Sequence, residues 1–290
     1  MGYSIEVYAI QALHGLVYGM LLFLVASGLT LVFGMMGVLN LAHAGFYMLG
    51  AYLAYSITLY TGSFWLSLLI SPLLVGALGV LIERFLLRKT YEGGHLAELL
   101  LTFGIFFILS ELIRKVWGTS PLSVPAPGIL AGDIPFWGMA YPTYRLFILG
   151  FSLLVLIGMA LMLTRTRIGI IVRAAVSDPG MVEALGTNVP MVFMGVLGGG
   201  AALAAVAGVI ATPFVSTYLG MGNDVLLDCF VVIVVGGFGS LFGAFIASLM
   251  IGEMQSFGVL WIPRLAIIFQ FLLMAVVLIA RPTGLFGEKE

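Results

Sequence analysis

The sequence predicts an all-α polytopic membrane protein of eight or nine spans, some of them short or broken. Three observations carry that expectation. Of the 290 residues, 62% are hydrophobic and only 9% are charged, with a mean hydropathy of +1.19, whereas a soluble domain carries about a quarter charged residues. No Asp, Glu, Lys or Arg stands between Glu6 and Glu83, a stretch that holds several runs of the roughly 20 apolar residues a spanning helix requires. Glycine is abundant and phased: Gly15 with Gly19, Gly195 with Gly199, and Gly239 with Gly243 and Ala247 fall at the small-xxx-small spacing that lets helix backbones approach closely in lipid. The chain reads as a single transmembrane domain over 1–290.

Taken in order, the segment Met1 to Glu6 lacks a basic region and a small-residue cleavage site, so the first apolar stretch, near 8–34, reads as a retained span. Glu at position 6 also fails the myristoylation pattern. Further spans are expected near 44–60, 64–83 and 98–116. The stretch Trp117 to Tyr144 contains Pro121, Pro125, Pro127, Pro135 and Pro142 and cannot be a regular helix; it reads as an extracytoplasmic loop. Spans near 145–163 and 191–211 flank a polar segment over 165–190. The pieces 226–238 and 240–258 meet at Gly236-Gly237-Phe238-Gly239-Ser240 and are expected to form one re-entrant or broken hairpin. The last span lies near 264–281.

Lys and Arg set the orientation. One side collects Arg84, Arg88, Lys89, Arg165, Arg167, Arg173, Arg281 and Lys289, the other Arg114, Lys115, Arg145 and Arg264. Eight against four places the C-terminus in the cytoplasm and, with nine crossings, the N-terminus outside.

Several function classes fall away. A formal net charge of −1 offers no basic footprint for nucleic acid. The single Cys229 has no partner for a disulfide, zinc or redox motif and reads as an apolar filler. Each Lys follows a charged residue (Arg88-Lys89, Arg114-Lys115, Glu288-Lys289), so no P-loop can be written, and HExxH, GxSxG and a clustered intramembrane carboxylate pair are absent. The chain is expected to be no enzyme, with no catalytic residue, no metal and no cofactor of its own.

The polar residues left in the membrane are few. Asn40 and His43 stand at a Gly-rich turn; they read either as a capped helix start or as landmarks beside a pathway. Gly34 to Gly45 and Gly236 to Gly243 echo one another as Gly-broken turns, and paired interruptions point to a midplane site because unwound helix ends expose backbone dipoles. Asn40, His43, Gly45, Gly236, Gly237, Gly239 and Ser240 are therefore the candidate pathway residues. Glu111 has Arg114 and Lys115 at helical spacing and reads as a local ion pair. Asp224, Asp228 and Glu253 read as solvated residues near outer span ends, and Gln270 as a bond to another helix.

The segment 173–190 differs in kind. Ala174, Ala175, Val182, Ala184 and Leu185 give a small apolar face, Asp178 and Glu183 keep the other side wet, and Gly186 ends the helix with a left-handed cap. Such a helix is either a knob for a partner's groove or an ordinary interfacial helix.

The pattern Arg173-Ala174-Ala175, Asp178, Met181, Leu185-Gly186 and Asn188, followed by a Gly/Ala-rich span, resembles the coupling segment of permease subunits in branched-chain amino acid ABC importers. Gly28 to Gly34 leading to Asn40-Leu41-Ala42-His43 and Met48 to Tyr52 is similar to the first hairpin of the LivH-type permease. Val235 to Ala244 resembles its second glycine hairpin, and Arg281 to Gly287 its ending. The resemblance spans most of the chain and implies an ABC importer permease fold in the inner membrane of a bacterial cell. It implies coupling through Arg173, Ala174, Asp178, Glu183, Leu185 and Gly186 to two cytoplasmic ATPases that hold ATP and Mg, a second LivM-like permease, and a periplasmic substrate-binding protein. The solute would be a branched-chain or related amino acid. After His43, however, the family commonly has Gly and an acidic residue where this chain has Ala44-Gly45-Phe46. Sister systems for urea, short amides or aromatic acids share the frame, and a stand-alone facilitator or channel is the other class.

Overall fold

The first helix, α1 (Ile5–Met36), is the axis of the bundle: its most apolar window is 83% buried against protein. At 32 residues it is about 48 Å long, well beyond the roughly 30 Å hydrocarbon core. The structure, a computed structural model, describes residues 5–136 and 139–287; the expectations placed on Met1 to Ser4 and on Lys289 lie outside the described residues.

Eight further long helices follow: α2 (Ala42–Thr61), α3 (Phe64–Phe85), α4 (Gly94–Trp117), α5 (Thr143–Arg165), then, after two short helices α6 (Arg167–Ser177) and α7 (Pro179–Ala184), α8 (Val189–Ala211), α9 (Met221–Gly236), α10 (Leu241–Trp261) and α11 (Ala266–Ala280). Among the described residues, seven segments are long and apolar enough to cross a membrane. The other two long helices, α2 and α9, are the ones whose neighbouring chain is unwound. Between α4 and α5 the proline-rich stretch forms no long helix; it carries a two-stranded antiparallel ribbon, β1 (Asp133–Phe136) and β2 (Met139–Pro142), with Ile134 opposite Tyr141.

Lipid gives apolar helices no hydrophobic reason to associate, so close backbone packing does the work. A Cβ added to Gly28 would lie 2.7 Å from the Gly200 carbonyl oxygen, and one on Gly50 would lie 2.5 Å from Ala205 Cα. One on Gly208 would collide with the Tyr47 carbonyl, and one on Gly79 with Ala201 and the Leu197 carbonyl. These contacts lock α1, α2, α3 and α8 together. Gly15 and Gly19 approach α10 at Glu253 and Ser248 in the same way. Gly195 and Gly199 do not follow the expectation: their added Cβ atoms would meet nothing within 4 Å, because they line a cavity instead of a helix contact. The outer helices turn large apolar side chains such as Leu69, Leu100, Phe107, Leu154 and Ile279 outward, as a lipid-facing surface does.

The α9–α10 pair forms the expected hairpin through the turn at Gly237 to Ser240. α10 runs antiparallel along α1, from Gly239 against Gly34 at one end to Ser256, whose Oγ donates to the Gln11 carbonyl at 2.7 Å, at the other. The turn between them lies beside the C-terminal tail, where Leu285 N donates to Val235 O at 2.9 Å and Phe286 N to Gly236 O at 3.0 Å. A glycine-rich turn at a bundle end and one at mid-depth look alike in sequence.

Glycine packing yields a direct test. Gly50→Val should cost about 1–3 kcal/mol through overpacking and lower the unfolding temperature of the detergent-purified protein. Gly104, whose Cβ would meet nothing within 4 Å, should accept Ala with a gain of up to about 1 kcal/mol. Equal behaviour of the two variants would contradict this account of the core.

Candidate functional site

The polar residues of the bundle gather in three places along α1. At its C-terminal end the two glycine turns meet: Gly34 and Gly239 face each other, each without room for a Cβ. Gly237 and Gly239 have φ of +99° and +76°, a conformation that favours glycine, and Gly237 also abuts Phe286 and Gly287. Gly236 packs on the Gly243–Ala244 backbone. Ser240 caps α10, its Oγ accepting from Gly243 N at 3.0 Å. Beside this cluster lies a cavity of about 200 Å³ lined by Thr30, Gly34, Met35, Gly239 and Arg173 among others. Arg173 also hydrogen-bonds the Leu163 carbonyl. One residue of the expected coupling set and one of the expected pathway set thus share a cavity.

Asn40 and His43 stand elsewhere. After α1 ends, the chain from Gly37 to Leu41 leaves the helix and runs back into protein, with Val38 and Asn40 buried. Non-helical backbone survives within a membrane only when protein satisfies it. Here Leu41 N donates to Thr102 Oγ1 at 3.3 Å, and Ala42 N to Asn40 Oδ1 at 3.1 Å. His43 is then in the first turn of α2, 1% exposed, its Nε2 donating to the Val25 carbonyl at 2.9 Å. Its ring packs on Gly28, and Gly28 rests on Gly200, the midpoint of α8. His43 therefore lies at mid-depth. Its Nδ1 and the Asn40 amide nitrogen have no partner among the described residues. Gly45 serves close packing on Leu109 and Phe106 of α4.

The third place was missed by reading the sequence. Asp228, expected at a solvated span end, is half-buried: Tyr18 Oη donates to its Oδ2 at 2.8 Å and Gln270 Nε2 to its Oδ1 at 3.0 Å. Gln270 does bond another helix, as expected. One turn earlier Asp224 accepts from Tyr218 Oη at 2.5 Å. The depth arises because α9 begins inside the bundle: a Cβ on Gly222 would touch Phe106 of α4 and the Ala44 carbonyl of α2. The signal available was the i, i+4 pair Asp224/Asp228 in an otherwise uncharged helix. Glu111 pairs with Arg114 at 2.7 Å on the surface, in line with its spacing, and Cys229 is a buried filler.

The coupling segment is two helices and not one. Asp178 ends α6 and caps α7, its Oδ1 accepting from Met181 N at 2.9 Å, and Pro179 opens the new helix, where its missing N–H costs nothing. Gly186, at φ +86°, closes it. Ala175 and Val182 pack with Val189, Ala174 and Phe193. Ala184 and Leu185 are a correction: they do not join that face. Leu185 is 77% exposed and Met181 58%, and Glu183 is exposed beside them. Behind the segment, Glu83, 0% exposed, takes a two-pronged contact from Arg88 at 3.2 and 2.8 Å, and Arg88 Nη2 reaches the Pro190 carbonyl at 3.2 Å. Tyr91 Oη adds a bond to Glu83 at 3.3 Å. The loop after α3 is thereby tied to the start of α8.

Family comparison then assigns the frame. A family model described as the permease component of the branched-chain amino acid transport system matches residues 11–280. The chain belongs to this family. It is 31% identical over 297 residues to the high-affinity branched-chain amino acid transport system permease protein BraD of Pseudomonas aeruginosa, covering 98% of this chain and 97% of that protein. It is 27% identical to the LivH permease protein of Salmonella typhimurium and 28% to that of Escherichia coli, in both cases over 97% of this chain and 96% of the relative. The permease is a multi-pass transport subunit and not an enzyme.

The Glu83–Arg88 clamp yields the second test. Arg88→Ala leaves the buried Glu83 carboxylate without its cation and should destabilise the permease by about 3 kcal/mol. Adding Glu83→Gln should recover part of that loss in thermal unfolding. A double variant no better than the single one would mean that charge compensation is not what the pair contributes.

Proposed function

We propose that this permease is one of two membrane subunits of a bacterial inner-membrane ABC importer that carries branched-chain or related amino acids into the cytoplasm. A LivM-like permease is its partner, two cytoplasmic ATPases holding ATP and Mg dock beneath, and a periplasmic binding protein delivers the solute. The C-terminus faces the cytoplasm. Family membership supports the role, and the observation that carries the mechanism is the exposed apolar tip, Met181 and Leu185, on the α6–α7 segment between two spans. A tip of this kind seats in a groove of a soluble partner.

Closure of the ATPases moves α7. Because α7 leads through Gly186 and Asn188 directly into α8, and Arg88 ties α8 to the loop after α3, the displacement passes to α3 and α8 as one body. Gly195 and Gly199 leave free space on α8 beside a cavity of about 390 Å³, which gives α8 room to shift against α1 and α5. His43, at mid-depth, ties α2 to α1 by its bond to Val25, and Gly34 and Gly239 close the lower end. Alternating access consists of releasing these contacts in turn.

Leu185→Asp combined with Met181→Asp should release the ATPases on purification and lower leucine uptake by more than tenfold, since each apolar anchor contributes about 1.5–3 kcal/mol, while the permease stays folded. Normal ATP-coupled uptake would sink the docking role. In a Cys229→Ser background, cysteines at Glu92 and Glu183 should resist a membrane-impermeant maleimide in intact cells; labelling from outside would invert the orientation. Uptake of urea without uptake of leucine would reassign the solute.

A further inference from the structure

The α9 carboxylates belong to a built site. A cavity of about 130 Å³ is lined by Tyr18, Tyr47, Tyr218, Asp224 and Asp228 on its polar side. Leu21, Leu22, Val25, Val215, Met221 and Val225 line the rest. A second cavity of about 190 Å³ shares Tyr18, Asp224 and Asp228 and adds Gln255 and Gln270. No Lys or Arg among the described residues lines either one. Asp228 is half-buried and Asp224 is exposed at the cavity rim, and carboxylates with no cation beside them are complementary to a positive group. The carboxylates are also held in place, Asp228 by Tyr18 and Gln270, and Asp224 by Tyr218.

Tyr47 supplies an independent observation. It is 4% exposed and lines the cavity, yet its hydroxyl makes no hydrogen bond among the described residues. The ring is buried while the hydroxyl stays accessible from the cavity beside the acidic pair, where it is free to bond a polar group that enters.

We infer that this cavity, between α1, α2 and α9, binds the ammonium end of the solute, with Asp228 and Asp224 accepting from the N–H groups and Tyr47 supplying a further oxygen, while Leu21, Leu22, Val25 and Val225 receive an aliphatic side chain. The inference rests on the proposed amino acid import and names the residues that read the solute.

Tyr47→Phe removes only an unbonded hydroxyl, so a structural role predicts no change. The site predicts leucine uptake lowered about three- to tenfold in proteoliposomes that hold the complete importer. Asp228→Asn should lower it about tenfold or more with the ATPases still co-purifying. A direct probe places a cysteine at Val225 in the Cys229→Ser background of the permease–ATPase complex: L-leucine and isoamylamine should both slow its reaction with maleimide, and isocaproate, which lacks the ammonium group, should not. Equal protection by isocaproate overturns the inference, and so does wild-type uptake by both Tyr47→Phe and Asp228→Asn. A wild-type importer that carries no amino acid at all overturns the proposed function and this inference together, whereas normal leucine uptake with indifferent variants overturns the site alone.

Discussion

Backbone-to-backbone contact at small residues is the constraint on which the rest of this permease depends. In lipid, apolar side chains gain nothing by choosing protein over acyl chains, and dispersion between closely approaching backbones must hold the helices. Gly28 on Gly200, Gly50 on Ala205 and Gly208 on the Tyr47 carbonyl bring α1, α2 and α8 nearer than any Cβ permits. That closeness in turn makes room for irregular chain. The passage from Gly37 to Leu41 and the start of α9 lie within the bundle because surrounding helices wall them off from hydrocarbon and satisfy their polar groups.

The polar inventory follows from the same economy. With so few charged residues in the chain, two of those inside show how differently the fold treats a carboxylate. Glu83 is neutralised by Arg88 and serves mechanics, joining the α3 loop to α8. Asp228 has hydrogen-bond donors but no cation beside it among the described residues. The two carboxylates differ already in sequence, since Arg84, Arg88 and Lys89 follow Glu83 and no basic residue stands near Asp228.

Much of the fold was legible because the bilayer imposes length and polarity on every span. All nine long helices fall on the apolar runs read as spans. The failures share one cause: depth is a tertiary property. Gly236 to Ser240 has the composition of a midspan interruption and forms a hairpin at the bundle end, while the interruption that matters before α9 lies in the stretch from Thr212 to Gly220, which carries no comparable glycine cluster. Asp228 reads as interfacial if α9 starts at the membrane surface, and α9 starts deeper. In the coupling segment, Asp178-Pro179 is a strong stop-and-start signal that ordinary capping rules interpret, yet amphipathic periodicity across it suggested one continuous face.

The length and burial of α1 have a consequence for the passage of water. Tyr18, Leu21, Leu22 and Val25 border the acidic cavity, and Thr30, Leu31, Gly34 and Met35 border the cavity near Arg173. At about 100° per residue, these two sets occupy nearly opposite faces of the same rod. The cavities are therefore not sections of one bore interrupted by a plug, and widening either leaves the other behind the helix. A solute must pass around α1, or α1 must roll about its own axis to present one face and then the other. The rod of α1 stands between the two cavities, so neither of them alone gives water a path across the bundle.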